Sequence, residues 1–140
     1  MEPSNLQKIV IVDFGSQFTQ LVARKIREIG SYSEIINFKN IFKLKDDLSI
    51  KGIILSGGPL SVTSNKGIGL DSFLIKMNIP ILGICYGHQI LAKKFGSKVK
   101  ISKHREFGKA ILKHKSQSIL TKKFFKNKKS IVWMSHQDIV

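Results

Sequence analysis

The chain has 140 residues, 42% of them hydrophobic, and a net charge of +15 from 24 Lys+Arg against 9 Asp+Glu. That length supports one domain with a real core, the apolar content argues against global disorder, and no apolar run approaches the ~20 residues of a membrane span. The lysines are scattered from Lys8 to Lys129, densest at Lys122, Lys123, Lys126, Lys128 and Lys129; with no aromatic-interleaved basic strand among them, the charge reads as solvated faces rather than a nucleic-acid footprint.

Met1 to Gln7 is short and polar, so no signal peptide is expected, and a single cysteine excludes an internal disulfide and makes the cytoplasm the expected compartment. Lys8 to Phe14 (KIVIVDF) is a nearly continuous β-branched run, as in a strand buried on both faces. From Gln17 to Ile29 apolar residues recur at Phe18, Leu21, Val22, Ile26 and Ile29, which predicts a helix that Gly30 closes. Ser33 to Phe38 reads as a second strand, Ile41 to Leu48 as a short helix or turn, and Gly52 to Ser56 as a third buried strand. After a polar loop from Ser61 to Gly69, Leu70 to Met77 predicts a helix, Ile81 to Cys85 a fourth strand, and Gly87 to Phe95 a helix stopped by Gly96. Lys98 to Ser102, Lys109 to Leu112 and Ser130 to Met134 read as strands, and Ser118 to Phe125 as a helix. Strand and helix alternate, which predicts an α/β fold with a mostly parallel twisted sheet flanked by helices on both faces.

Ligands of such folds sit beyond the carboxyl ends of the strands. Three turns are expected there: Asp13-Phe14-Gly15-Ser16-Gln17, Ser56-Gly57-Gly58-Pro59 and Gly83-Ile84-Cys85-Tyr86-Gly87. The last has the pattern of a nucleophile elbow with cysteine in place of serine. A sharp strand-to-helix turn demands small flanking residues, which Gly83 and Gly87 supply. The thiol would stand over a helix amino terminus, which favours negative charge, and the Tyr86 N–H would face a developing oxyanion. A buried cysteine at a strand end is the plainer alternative. Gly57-Gly58-Pro59 reads either as an ordinary tight turn or as the second half of an oxyanion hole, and Asp13 to Gln17 as a ligand loop or a helix start capped by Ser16. His88, His104, His114 and His136 are the possible basic partners of a thiol, and His136 alone would follow the last strand onto the same rim. No dinucleotide or triphosphate fingerprint is present.

Together these segments resemble the class I glutamine amidotransferase family, and within it the glutaminase domains of its GMP-forming branch. The resemblance runs through IVIVDFGSQFTQLVARKIRE at Ile9 to Glu28, GIILSGGPLSV at Gly52 to Val62, PILGICYGHQILAKKFG at Pro80 to Gly96, REFGKA at Arg105 to Ala110 and VWMSHQD at Val132 to Asp138. It implies a Rossmann-like amidotransferase domain over residues 1–140, incomplete at its carboxyl end. It implies that Cys85 forms a γ-glutamyl thioester and releases ammonia, with Gly58 and Tyr86 donating N–H groups to the oxyanion. It further implies that Gln89 holds the substrate glutamine, and that a loop of Ser135, His136, Gln137 and Asp138 contacts its backbone end. No cofactor is implied on this segment. ATP and Mg2+ belong to an ATP-pyrophosphatase synthetase domain, the implied partner, which aminates xanthosine monophosphate to GMP, and the whole enzyme is expected to be a homodimer.

Two departures bear on this expectation. The family's catalytic histidine and glutamate lie in a His-Pro-Glu motif downstream of Val140, so the 140-residue chain alone is expected to be inactive. Gln137 stands where the family carries glycine, which would strain the backbone if that position needs a positive φ. A glutaminase subunit of the anthranilate or carbamoyl-phosphate type, or a truncated non-catalytic relative, is the alternative.

Overall fold

The computed structural model describes residues 6–62, 69–116, 118–123 and 129–140. They fall into two compact units, one ending at Lys100 and one spanning Ile101–Ile139. In the first unit, four parallel strands form a sheet in the order β2-β1-β3-β4: β1 (Lys8–Asp13), β2 (Ser33–Asn37), β3 (Ile50–Leu55) and β4 (Ile81–Gly83). Three α-helices accompany them, α1 (Thr19–Glu28), α2 (Ser72–Lys76) and α3 (Tyr86–Lys94), with a 3-10 helix at Phe38–Leu44.

Strand alternation explains why helices cover both faces. Val10 and Val12 of β1 and Ile53 and Leu55 of β3 point to one side, where they pack with Leu44, Leu74, Tyr86 and Ile90 from the 3-10 helix, α2 and α3. Ile11 and Ile54 point to the other, against Ala23, Val22 and Ile26 of α1. The two central strands are therefore apolar on consecutive positions, as their sequences required. Both α1 and α3 end at a left-handed glycine: the N–H groups of Gly30 and Ser31 return to Arg27 and Ile26, and those of Gly96 and Ser97 to Lys93 and Ala92. Among the described residues no helix is long and apolar enough to cross a membrane.

The second unit holds a separate two-stranded sheet of β5 (Lys100–Lys113) and β6 (Lys129–Ile139). The strands expected at Lys98–Ser102 and Lys109–Leu112 are one continuous β5, because Gly108, at φ 100°, absorbs the irregularity where a break is expected. Ser118 to Lys123 forms hydrogen-bonded turns rather than the start of a helix. Ser118 and Thr121 exchange side-chain and backbone bonds there, a local alternative to helix propagation. Phe125, Lys126 and Lys128, and most of the loop expected from Ser61 to Gly69, lie outside the described residues.

Candidate functional site

The strand order places the sheet's switch point between β1 and β3, and the loops leaving β1, β3 and β4 come together beyond it. At the end of β4 the chain turns sharply. The Ile84 N–H donates to the Leu55 carbonyl at 2.9 Å, and the Gly87 N–H to Ser56 and Ile84 at 3.0 and 2.9 Å. β4 therefore stops at Gly83, two residues before its expected end, because Ile84 and Cys85 are already in the bend. Cys85 sits at φ 49°, ψ −115°, a conformation L-residues seldom adopt, and it is the residue from which α3 departs. Its side chain is exposed. This is the strained strand-to-helix elbow expected from the sequence, with the thiol on the surface rather than in the core.

The glycines flanking Cys85 are required by close approach. A Cβ at Gly83 would lie 2.5 Å from His88 Cα, and one at Gly87 would lie 2.1 Å from the Leu55 carbonyl oxygen. The elbow is thus pressed onto β3 and onto its own helix, where any side chain would force it open. Tyr86 is anchored from the other side. Its ring is 2% exposed and meets Phe14 edge-on at 5.4 Å, and Phe14 stacks on Phe38 at 5.8 Å.

The β3 turn passes beside the cysteine. A Cβ at Gly57 would stand 3.5 Å from both Cys85 Cβ and Ser16 Oγ, so this glycine lies between the β1 loop and the elbow. Gly58 is pressed on Phe14, whose carbonyl oxygen would be 2.7 Å from an added Cβ. Among the described residues the Gly58 N–H meets no acceptor. Gln89, on α3 and one turn beyond Cys85, is buried, and its N–H donates to the Cys85 carbonyl at 3.1 Å. His88 is exposed.

The structure thus gathers Cys85, Tyr86, Gly58 and Gln89 at one rim. Ser135, His136, Gln137 and Asp138 belong to the second unit, where they continue β6 instead of forming a loop. Pairing with the long β5 carries the strand through them. In extended backbone the glutamine at 137 imposes no strain. Ser16 does not cap α1. Its hydroxyl accepts the Phe18 N–H at 3.1 Å inside the preceding turn, and α1 begins at Thr19.

Sequence reasoning passed over a chain of polar contacts beneath these loops. Asp13 Oδ1 accepts from the Gly15 N–H and from the Thr19 hydroxyl, both at 2.9 Å. Thr19 Oγ1 lies 3.1 Å from Ser56 Oγ, and the Ser56 hydroxyl donates to the Gly57 carbonyl at 3.2 Å. Thr19 and Ser56 are 3% and 2% exposed. Their only signal in the sequence is a hydroxyl at each of two positions where the flanking pattern runs into the core.

Comparison with known proteins decides the family. The sequence profile of the class I glutamine amidotransferases matches residues 10–140. The chain belongs to the class I glutamine amidotransferase family. Among curated relatives, the glutamine-hydrolysing GMP synthase of Campylobacter lari is 48% identical over 137 residues, covering 94% of this chain and 25% of the relative. The corresponding proteins of Bacillus cereus and Brachyspira hyodysenteriae are each 44% identical, covering 94% and 98% of this chain. The chain spans about a quarter of the length of these relatives. Among solved structures, a protein described as a GMP synthase subunit from Thermoplasma acidophilum aligns with a TM-score of 0.70 at 31% identity, covering 95% of this chain and 66% of the other. A glutamine amidotransferase from Methylobacillus flagellatus, at 16% identity and a TM-score of 0.65 over 96% of this chain and 56% of the other, shares the fold. In this amidotransferase, as the strand order anticipated, the parallel sheet carries its exposed cysteine at the carboxyl rim.

Proposed function

We propose that this chain is the glutaminase portion of a GMP-forming ligase, and that Cys85 is its nucleophile. The observation that carries the reading is the exposed thiol held in a strained elbow at the amino end of α3. Sulfur attacks the side-chain amide carbon of glutamine, and the carbonyl oxygen becomes an oxyanion. The Gly58 and Tyr86 N–H groups are its donors, and the end of α3 adds favourable charge. As the tetrahedral species collapses, the C–N bond breaks, ammonia leaves and a γ-glutamyl thioester remains. Water then cleaves the thioester to glutamate and restores the thiol.

Gln89, one turn along α3, holds the substrate glutamine. The released ammonia passes to an ATP-pyrophosphatase synthetase domain, where ATP and Mg2+ serve the amination of xanthosine monophosphate to GMP. Support for that acceptor comes from the relatives named as GMP synthases. The compartment we assign is the cytoplasm. Proton transfer at the thiol and the leaving nitrogen falls to a His-Pro-Glu pair in the family, and the 140 residues contain no His-Pro-Glu. Among the described residues no imidazole hydrogen-bonds Cys85. By itself, the chain turns glutamine over negligibly.

The test is alkylation. With one cysteine in the chain, mass spectrometry reads its modification without ambiguity. At about pH 8.5, where an ordinary thiol is half ionised, a chloroketone built on the glutamine skeleton is expected to label Cys85 at least ~10-fold faster than chloroacetone, because the site orients it. Equal rates for the two reagents would remove the glutamine-binding reading.

A further inference from the structure

The buried contacts beneath the rim connect all three loops, and their donor order has a direction. The Thr19 proton is committed to Asp13 Oδ1, so the Thr19 oxygen faces Ser56 as an acceptor. The single Ser56 proton then lies between Thr19 Oγ1 and the Gly57 carbonyl. The Ser56 backbone is fixed as well, its N–H donating to Val12 at 3.1 Å and its carbonyl accepting from Gly87 at 3.0 Å. In a planar trans peptide the carbonyl and the following N–H point in opposite directions. Holding the Gly57 carbonyl toward a buried hydroxyl therefore sets the outward direction of the Gly58 N–H. Gly57 and Gly58 carry no side chains of their own with which to fix that peptide, and Gly58 packs too closely on Phe14 to accept one freely.

We infer that Asp13, Thr19 and Ser56 act as a positioning relay that fixes the Gly57–Gly58 peptide, and with it the aim of the Gly58 N–H at the oxyanion formed on Cys85. The inference deepens the glutaminase reading and rests on it. None of the three side chains touches substrate. Each acts through the next, from the β1 loop across α1 to the end of β3. The arrangement also explains why hydroxyls occupy two of the most deeply buried polar positions among the described residues, where valine or alanine would pack without needing a partner.

Two alkylating reagents separate positioning from folding. The sulfur of the Cys85 thiolate adds to the carbonyl carbon of chloroacetone and forms an oxyanion; it then bonds to the adjacent carbon as chloride leaves, its bond to the carbonyl carbon breaks, and the oxyanion's electron pair restores the C=O. Iodoacetamide is displaced directly at carbon, iodide leaves, and no oxyanion forms. In the 140-residue chain, Thr19→Val and Ser56→Ala are expected to slow alkylation of Cys85 by chloroacetone about 10-fold while leaving the iodoacetamide rate unchanged. Thr19→Ser, which keeps the hydroxyl, is expected to restore the wild-type ratio of the two rates. The relay is overturned if that ratio is the same in wild type, Thr19→Val and Ser56→Ala. It is also overturned if both rates fall in proportion, since that reports a disturbed fold rather than a misaimed donor. Neither reagent resembles glutamine, so this outcome is independent of whether the glutamine-shaped chloroketone is preferred.

Discussion

Gly87→Ala probes the elbow most directly. An added Cβ would meet the Leu55 carbonyl oxygen at 2.1 Å, its carbon at 2.5 Å and the Leu55 Cβ at 2.7 Å. These atoms have nowhere to go. Leu55 is fully buried, pairs with Val12 and Gly83 on either side, and accepts the Ile84 N–H at 2.9 Å. Relief requires α3 to lift from β3 by about 1 Å, which stretches the Gly87 bond to Ser56 and uncovers Tyr86. Overpacking against a rigid strand costs about 1–3 kcal/mol, and a lost buried hydrogen bond adds about 1 kcal/mol. The expected loss in urea denaturation is therefore about 3 kcal/mol. Gly96→Ala is the control, because Gly96 has φ 85° but nothing within 4 Å of the added atom; its loss is expected to be about 1–2 kcal/mol, from backbone strain alone. Displacing the thiol by about 1 Å is also expected to slow labelling by the glutamine-shaped chloroketone about 100-fold. A Gly87→Ala chain no less stable than Gly96→Ala, with its labelling rate intact, would refute the argument that elbow and strand are locked by contact.

The strain at Cys85 reverses an ordinary ranking. Cys85→Gly is expected to be about 1 kcal/mol more stable than Cys85→Ala in the same denaturation assay, because relief of the positive φ outweighs the added freedom of the unfolded chain; the opposite order would show that the bend is unstrained. Gly58→Ala, driven onto the Phe14 carbonyl at 2.7 Å, is expected to cost about 2 kcal/mol and to slow chloroacetone more than iodoacetamide; proportional slowing would argue against an oxyanion donor there. At the opposite end of the sheet, Lys8 bridges Glu34 at 2.8 Å and Asp47 at 3.0 Å. Hydrogen bonds from Ser49, joined by Lys8, hold the Asp47 carboxyl below its ordinary 3.8, so its contribution is complete above that pH and lost as pH falls through the lowered value. Asp47→Asn is accordingly expected to cost at most about 1 kcal/mol at pH 7, since the side chain is partly exposed, with the difference from wild type closing below pH 3.8; a gap that widens in acid would contradict the sign.

Most of the sheet was legible because period and composition act locally. KIVIVDF and GIILS are apolar at successive positions, which only a strand covered on both faces tolerates, and they became the two central strands. The elbow was legible for a similar reason, since a cysteine between two glycines at a strand end leaves few backbone geometries open. What escaped depended on distant partners. β4 is shorter than its apolar run because Leu55 and Ser56 of another strand accept the N–H groups that bend it. β6 outruns Met134 because it pairs with a long β5 rather than because of its own residues. Thr19 and Ser56 lie 37 positions apart, and nothing in either neighbourhood shows that their hydroxyls meet.

That division between local and distant causes follows from where the fold places its stability. Val10, Ile11, Val12, Ile53 and Leu55 are almost completely buried, and burying side chains of this size yields about 1.5–3 kcal/mol each. The unfavourable features collect at the carboxyl rim of the same strands: a left-handed cysteine, three glycines compressed against backbone, and two hydroxyls withdrawn from water. Each costs about 1–3 kcal/mol unless compensated. A strained elbow on a peripheral helix would relax by shifting the helix. Here it is clamped by hydrogen bonds into the most deeply buried strand of the sheet, so relaxation would require breaking the core. The strands that specify the fold are thus also the reason a nucleophile can be held in a conformation the chain would otherwise leave.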